Sequence, residues 1–197
     1  ERAVAPTHPD SNYGTSVTGW LGALVVSGVR LHRMHGDAPS LDDAARRYDE
    51  ELSSSLGSPP RLDLAIVGVG EDGHVCSLFP GHPALREADR LAVAVRDAPK
   101  PPPARLTLTL PFVAASRRVV VAALGSSKAG AMRAALGDTP GTTPVAQLLQ
   151  LTERAVVLLD AVEFSLQPPL EQMAMLNSLS FSVNSAYRQL LSKEIQI

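Results

Sequence analysis

The sequence predicts an α/β fold, a mainly parallel Rossmann-like sheet with helices on both faces in three layers, and three observations predict it. Short apolar runs at Leu62–Val67, Val119–Leu124 and Ala155–Leu159 read as buried strands, because each is rich in β-branched residues and bounded by turn signals. Helical patterns alternate with these runs, an order that favours parallel strands with helices packed on the sheet. Two of the runs lead directly into glycine loops, Gly68 to Gly73 and Gly125 to Lys128, at what would be the carboxyl ends of strands. In such sheets that is where ligands bind, so the two loops are expected to face one pocket.

Each element has its own local signal. Ser40 with Asp43 makes a capping-box-like start, and Leu41, Ala44, Ala45, Tyr48 and Leu52 follow at helical spacing until Gly57 and Pro59 stop the helix. Leu106-Thr-Leu-Thr-Leu110 alternates with period two, a further strand with leucines on one face and threonines on the other. After Val119 to Leu124 comes Gly125-Ser-Ser-Lys128 and an alanine-rich helix ending at Gly137. The run Pro99-Lys-Pro-Pro-Pro103 enforces a stiff, extended connection, because proline fixes its own backbone angle. Beyond Pro168 and Pro169, Met173, Leu176, Ser180, Val183, Tyr187 and Leu190 form a loose helical stripe in a polar tail.

Composition narrows the function. A chain of 197 residues with 45% hydrophobic and 19% charged residues has the make-up of one large soluble domain. A formal net charge of −2 with interspersed signs gives no field suited to a nucleic-acid backbone, so no nucleic-acid partner is expected. Cys76 stands alone, without a second cysteine for a disulfide or a thiolate metal site, which fits a reducing cytoplasm. The apolar stretch from Val17 to Val29 is broken by glycines and is too short for a bilayer, so no membrane span is expected. No signal-peptide pattern opens the chain, which begins at Glu1 without an initiator methionine.

Gly68-Val-Gly-Glu-Asp-Gly73 matches the letters of the dinucleotide fingerprint and follows a predicted strand. A true fingerprint must open a long helix whose amino terminus holds a pyrophosphate, whereas Pro80 and Gly81 interrupt this chain soon after His74. No nicotinamide or flavin cofactor is therefore expected. The glycines instead offer close backbone approach and exposed N–H groups at a strand end, a cradle for an anion or oxyanion. His74, two residues beyond Asp72, adds an imidazole, the side chain best suited to acid and base work near neutral pH. The alternative for His74 is a hydrogen-bonded loop residue with no chemistry.

The run from Leu62 to Gly81, containing Gly68-Val-Gly-Glu-Asp-Gly-His74 and Ser77-Leu-Phe-Pro80, closely resembles the signature of the 6-phosphogluconolactonase family, within the sugar-phosphate isomerase and deaminase-like superfamily. Three more blocks are similar to that family in the same order: Glu1-Arg2 with Ser11-Asn-Tyr-Gly14, Ala98 to Pro111, and Gly125-Ser-Ser-Lys-Ala129. The resemblance covers roughly residues 1–163 and implies hydrolysis of 6-phosphogluconolactone to 6-phosphogluconate in the oxidative pentose phosphate pathway, without metal or organic cofactor. It makes His74 the catalytic base and then acid, with Asp72 orienting the imidazole or binding sugar hydroxyls. Backbone N–H groups around Gly70 and Gly73 become the expected oxyanion donors. Arg2, at the position of the family's Asp-Glu-Arg motif, and Lys100 in the proline segment are the expected phosphate-binding cations, with Lys128 and Arg105 as additional candidates.

The resemblance also implies that the family's first strand, its Ser-Gly-Gly loop and the Asp of the Asp-Glu-Arg motif lie upstream of Glu1, so that the chain holds the C-terminal portion of the family fold. Residues 164–197 match nothing in the family and are expected to be a divergent or unrelated tail. Two other readings stay open: a glucosamine-6-phosphate deaminase-like isomerase, and a non-catalytic fragment that binds sugar phosphates. Deaminases usually continue their Gly-x-Asp-Gly-His run with Phe-Asn-Glu-Pro, where this chain has Ser77-Leu-Phe-Pro80 and no carboxylate.

Overall fold

Alternating burial along β1 (Ala65–Gly68) places Ala65 and Val67 in the core and leaves Ile66 67% exposed. The computed structural model of the chain describes residues 1–23, 29–137, 141–152 and 154–159. The stripe from Met173 to Leu190 and the expected tail lie outside the described residues. The other strands are β2 (Ala92–Val95), β3 (Arg105–Leu108), β4 (Val119–Ala123) and β5 (Ala155–Leu159). β1, β4 and β5 form a parallel sheet with β4 in the centre, aligned as Ala65 beside Val119 beside Ala155. Val119, Val121 and Ala123 of the central strand are fully buried, and each such valine contributes on the order of 1.5–2 kcal/mol through burial.

Three helices close one face of that sheet. α3 (Leu110–Ala114), α4 (Ala129–Leu136) and α5 (Pro144–Leu151) contribute Leu110, Val113, Met132, Ala135, Val145 and Leu148 to the core that holds Val67 and Val121. On the opposite face Ile66 and the 41% exposed Leu158 point outward. α1 (Asn12–Ser16), which continues into a π-turn at Val17–Leu21, lies near the start of the chain.

The fold also holds a second sheet. β2 pairs antiparallel with β3, so the strand expected at Leu106 to Leu110 belongs to a separate two-stranded sheet and ends at Leu108. The threonine face is buried as well as the leucine face: the Thr107 hydroxyl accepts from the Ser77 N–H at 3.0 Å, and the Thr109 hydroxyl donates to the Arg90 carbonyl at 2.7 Å. α2 (Leu41–Ser55) covers this sheet, burying Leu41, Ala44 and Ala45 against Leu106. Its start is set by the Ser40 hydroxyl accepting from the Asp43 N–H, with Asp42 and Asp43 favourably placed in the first turn. Asp49, in the second half of the helix, accepts from the Leu91 and Ala92 N–H groups and ties the helix to the beginning of β2.

Candidate active site

Beyond the carboxyl end of β1 the chain makes a tight excursion and returns, with Val69 bridged to Val75 and Val75 to Leu78. No long helix opens after Gly73. The next helical turn is the short 3-10 segment Pro83–Arg86, so the loop is built unlike a dinucleotide site. The Gly70 N–H donates to the His74 carbonyl and the Gly73 N–H to the Gly70 carbonyl, both at 2.9 Å. These two amides are spent on closing the loop, which corrects their assignment as oxyanion donors. The two glycines are required for room instead. A Cβ on Gly70 would stand 2.0 Å from His74 Nδ1 and 2.6 Å from Asp72 Oδ1. Gly73 holds a left-handed backbone, φ +79°, with Thr143 at the start of α5 pressed against it.

The imidazole therefore lies directly over Gly70. His74 Nδ1–H donates to Asp72 Oδ1 at 2.5 Å, an arrangement that leaves Nε2 as the basic nitrogen in the neutral ring. The ring's other neighbour is Phe79, whose centroid lies 4.5 Å away. His74 keeps 18% of its side chain exposed, enough to meet a substrate while its orientation is held from behind. Partial burial pushes the Asp72 carboxyl upward, but the hydrogen bond and charge of His74 outweigh it, so the net effect holds Asp72 below the usual carboxylate range and ionised at neutral pH.

Lys100 joins the pair. Its ammonium lies 3.5 Å from Asp72 Oδ1 and 3.3 Å from Glu71 Oε1, so the proline segment brings a cation to the carboxylate that holds His74. Arg105 stands behind it, only 6% exposed, and donates to the carbonyls of Lys100, Pro101 and Pro102 rather than facing outward as a phosphate ligand. Burial first, and then the charge of Arg2, draw its guanidinium below its ordinary value.

Arg2 is held by strand-like pairing at the start of β3. It bridges Arg105, the Glu1 nitrogen donates to the Leu106 carbonyl, and the Leu106 N–H donates to the Glu1 carbonyl. Its guanidinium donates to the Asp10 carbonyl at 2.9 Å and to Asn12 Oδ1 at 3.0 Å. Glu1 joins the Glu-Arg and Ser-Asn-Tyr-Gly blocks, since its carboxylate accepts from the N–H groups of Asn12 and Tyr13. Lys128 sits in the Gly125 loop after β4, at the same end of the parallel sheet. Among the described residues no contact joins it to His74, Asp72, Lys100 or Arg2.

Glu71, Phe79, Thr107 and Thr143 also shape the site, and sequence reasoning did not single them out. Phe79 stood in view within Ser77-Leu-Phe-Pro80, whereas the contacts of the two threonines come from residues distant in sequence. Among the described residues no three His, Cys, Asp or Glu side chains cluster in a way that could hold a metal ion. Among them, too, no helix is long and apolar enough to cross a membrane.

A parallel sheet with an imidazole, a paired carboxylate and a cation beyond the end of its first strand defines an α/β protein that carries the groups acid–base chemistry uses. The chain matches the family model described as glucosamine-6-phosphate isomerases/6-phosphogluconolactonase over residues 1–158. It is 38% identical to 6-phosphogluconolactonase of Rattus norvegicus over 162 residues, 81% of this chain and 63% of that protein. To the Homo sapiens 6-phosphogluconolactonase it is 39% identical over 152 residues, 76% of this chain and 58% of that one. The solved 6-phosphogluconolactonase of Trypanosoma brucei superposes with a TM-score of 0.67 at 27% identity, covering 85% of this chain and 72% of the other. A structure named devB protein gives 0.71 at 26%, covering 84% and 70%.

The chain belongs to the glucosamine-6-phosphate isomerase/6-phosphogluconolactonase family. It spans about three-fifths of the length of the curated mammalian relatives it matches.

Proposed function

We propose that the protein hydrolyses 6-phosphogluconolactone to 6-phosphogluconate, and the single observation that carries this reading is the orientation of His74. With Nδ1–H committed to Asp72, Nε2 is the free base. It takes a proton from a water molecule that attacks the lactone carbonyl carbon. The negative charge develops on the carbonyl oxygen, and when the tetrahedral intermediate collapses the ring C–O bond breaks and the imidazolium returns its proton to the departing ring oxygen. Asp72 stays ionised throughout and stabilises the imidazolium, as its lowered pKa requires. Lys100 and Arg2 supply positive charge for the phosphate, with Lys128 the outermost candidate.

The deaminase reading is disfavoured by the residues just after His74. Ser77 is buried with its N–H on Thr107, and Phe79, not a carboxylate, faces the imidazole. The lone Cys76 and the interspersed charge fit a cytoplasmic enzyme acting on a small phosphorylated sugar lactone. The test is a continuous assay with freshly generated 6-phosphogluconolactone on the chain and on His74→Ala. The expected result is turnover by the unaltered chain and a loss of roughly 10²–10⁴-fold in kcat for the variant. Equal rates for the two would remove His74 from the mechanism. Binding of 6-phosphogluconate without turnover would favour a non-catalytic sugar-phosphate module.

A further inference from the structure

We propose that Arg105 is a positioning residue that sets Lys100 and His74 relative to each other from behind the site; its kinetic consequences rest on the lactonase reading above. Its guanidinium sends Nε–H to the Pro102 carbonyl at 3.0 Å, and one terminal nitrogen to the carbonyls of Lys100 at 2.9 Å and Pro101 at 3.2 Å. The same group lies over the ring of Phe79, 5.4 Å from its centroid. Phe79 is almost wholly buried and its ring stands 4.5 Å from that of His74. His74 donates to Asp72, and Asp72 in turn lies 3.5 Å from the Lys100 ammonium. The contacts thus close a circuit: Arg105, Lys100, Asp72, His74, Phe79 and back to Arg105.

Two properties of the circuit assign the role to arginine in particular. A planar fork can address several carbonyls at its edge while its face stacks on an aromatic ring, whereas a lysine ammonium is a point charge that cannot do both. Three successive carbonyls, two of them from prolines that carry no N–H of their own, converge on one cation, so the loop that carries Lys100 is fastened through its backbone rather than its side chains. Arg105 does not touch the substrate in this scheme. It acts through Lys100 on binding and through Phe79 on the base.

The experiment is a set of double-variant cycles on the chain as it exists, with Arg105→Lys keeping the charge and removing the fork. Arg105→Lys is expected to raise KM and lower kcat, each by roughly tenfold. In a Lys100→Ala background the effect on KM should vanish while that on kcat persists; in a Phe79→Leu background the effect on kcat should vanish. Independent, multiplicative effects in both backgrounds would overturn the proposal, since a residue that supports only the fold has no reason to couple separately to each partner.

A readout that needs no turnover separates this proposal from the lactonase reading. The ring ¹H–¹³C resonances of His74, assigned by their loss in His74→Ala, are expected to move in Arg105→Lys. Unmoved resonances would overturn the positioning role. Moved resonances in a chain inert toward the lactone would leave the circuit standing and remove the lactonase reading. If Arg105→Lys does not fold, Phe79→Leu reads the circuit from its other side, with lowered kcat and unchanged KM expected; kinetics and His74 resonances both unaltered would overturn it.

Discussion

Asp72 governs which nitrogen of His74 is basic, so a change confined to one atom should act on rate more than on binding. Asp72→Asn keeps the shape and removes the charge that stabilises the imidazolium; kcat should fall at least about tenfold with KM little altered, measured in the lactone assay. Gly70→Ala is the sharper steric test. Its new methyl would occupy the place of the imidazole, so activity should fall to near that of His74→Ala, while a thermal melt shows the chain still folded. The signature run made His74 and Asp72 legible in the sequence. The fate of the glycine amides was not, because which carbonyl an N–H meets depends on how the loop returns, nor were the partners of Arg105, an additional phosphate-binding candidate in the sequence, because they are backbone atoms that carry no side-chain signal. Cys76 lies within two residues of the base, yet desolvation pushes its thiol up to about 11. At pH 7 it is therefore almost wholly protonated, and alkylation by iodoacetamide should be slow and rise about tenfold per pH unit between pH 7 and 9 without a plateau, followed by mass spectrometry.

Elements differ in how openly they announce themselves. α2, β4 and β5 were readable because capping, continuous apolar runs and flanking glycines agree with one another. β2 was not, since Ala92–Val95 is too short to show a period and gains its partner only once the proline segment folds back. α3 was hidden by the strand before it: the leucine alternation runs on to Leu110, where Pro111 in the first turn begins a helix instead. α5 did carry a usable signal, Thr143 capping Ala146 with Pro144 at the start, and was overlooked in favour of the strand after it. The join between α2 and β2 belongs to this scale. Asp49→Ala removes the acceptor of two N–H groups at the strand start and should cost about 1–3 kcal/mol by urea unfolding, far more than an exposed substitution such as Arg46→Ala.

Across the whole molecule distant stretches are brought together: residues 70–79 and 100–105 meet at Asp72 and Lys100, and residues 1–2 pair beside Arg105 and Leu106. The α/β class was legible because it depends on the order of elements; the antiparallel β2–β3 sheet was not, because pairing direction is set by tertiary contacts rather than by local pattern. The exposed apolar residues of the parallel sheet have a consequence of their own. Ile66 and Leu158 stand beside water where a folded chain ordinarily hides such groups, and a net charge of −2 offers little mutual repulsion between molecules. Concentrated solutions of this chain should scatter light and precipitate early, and Ile66→Thr, which keeps the strand preference, should raise the solubility ceiling while shifting unfolding by no more than about 0.5 kcal/mol.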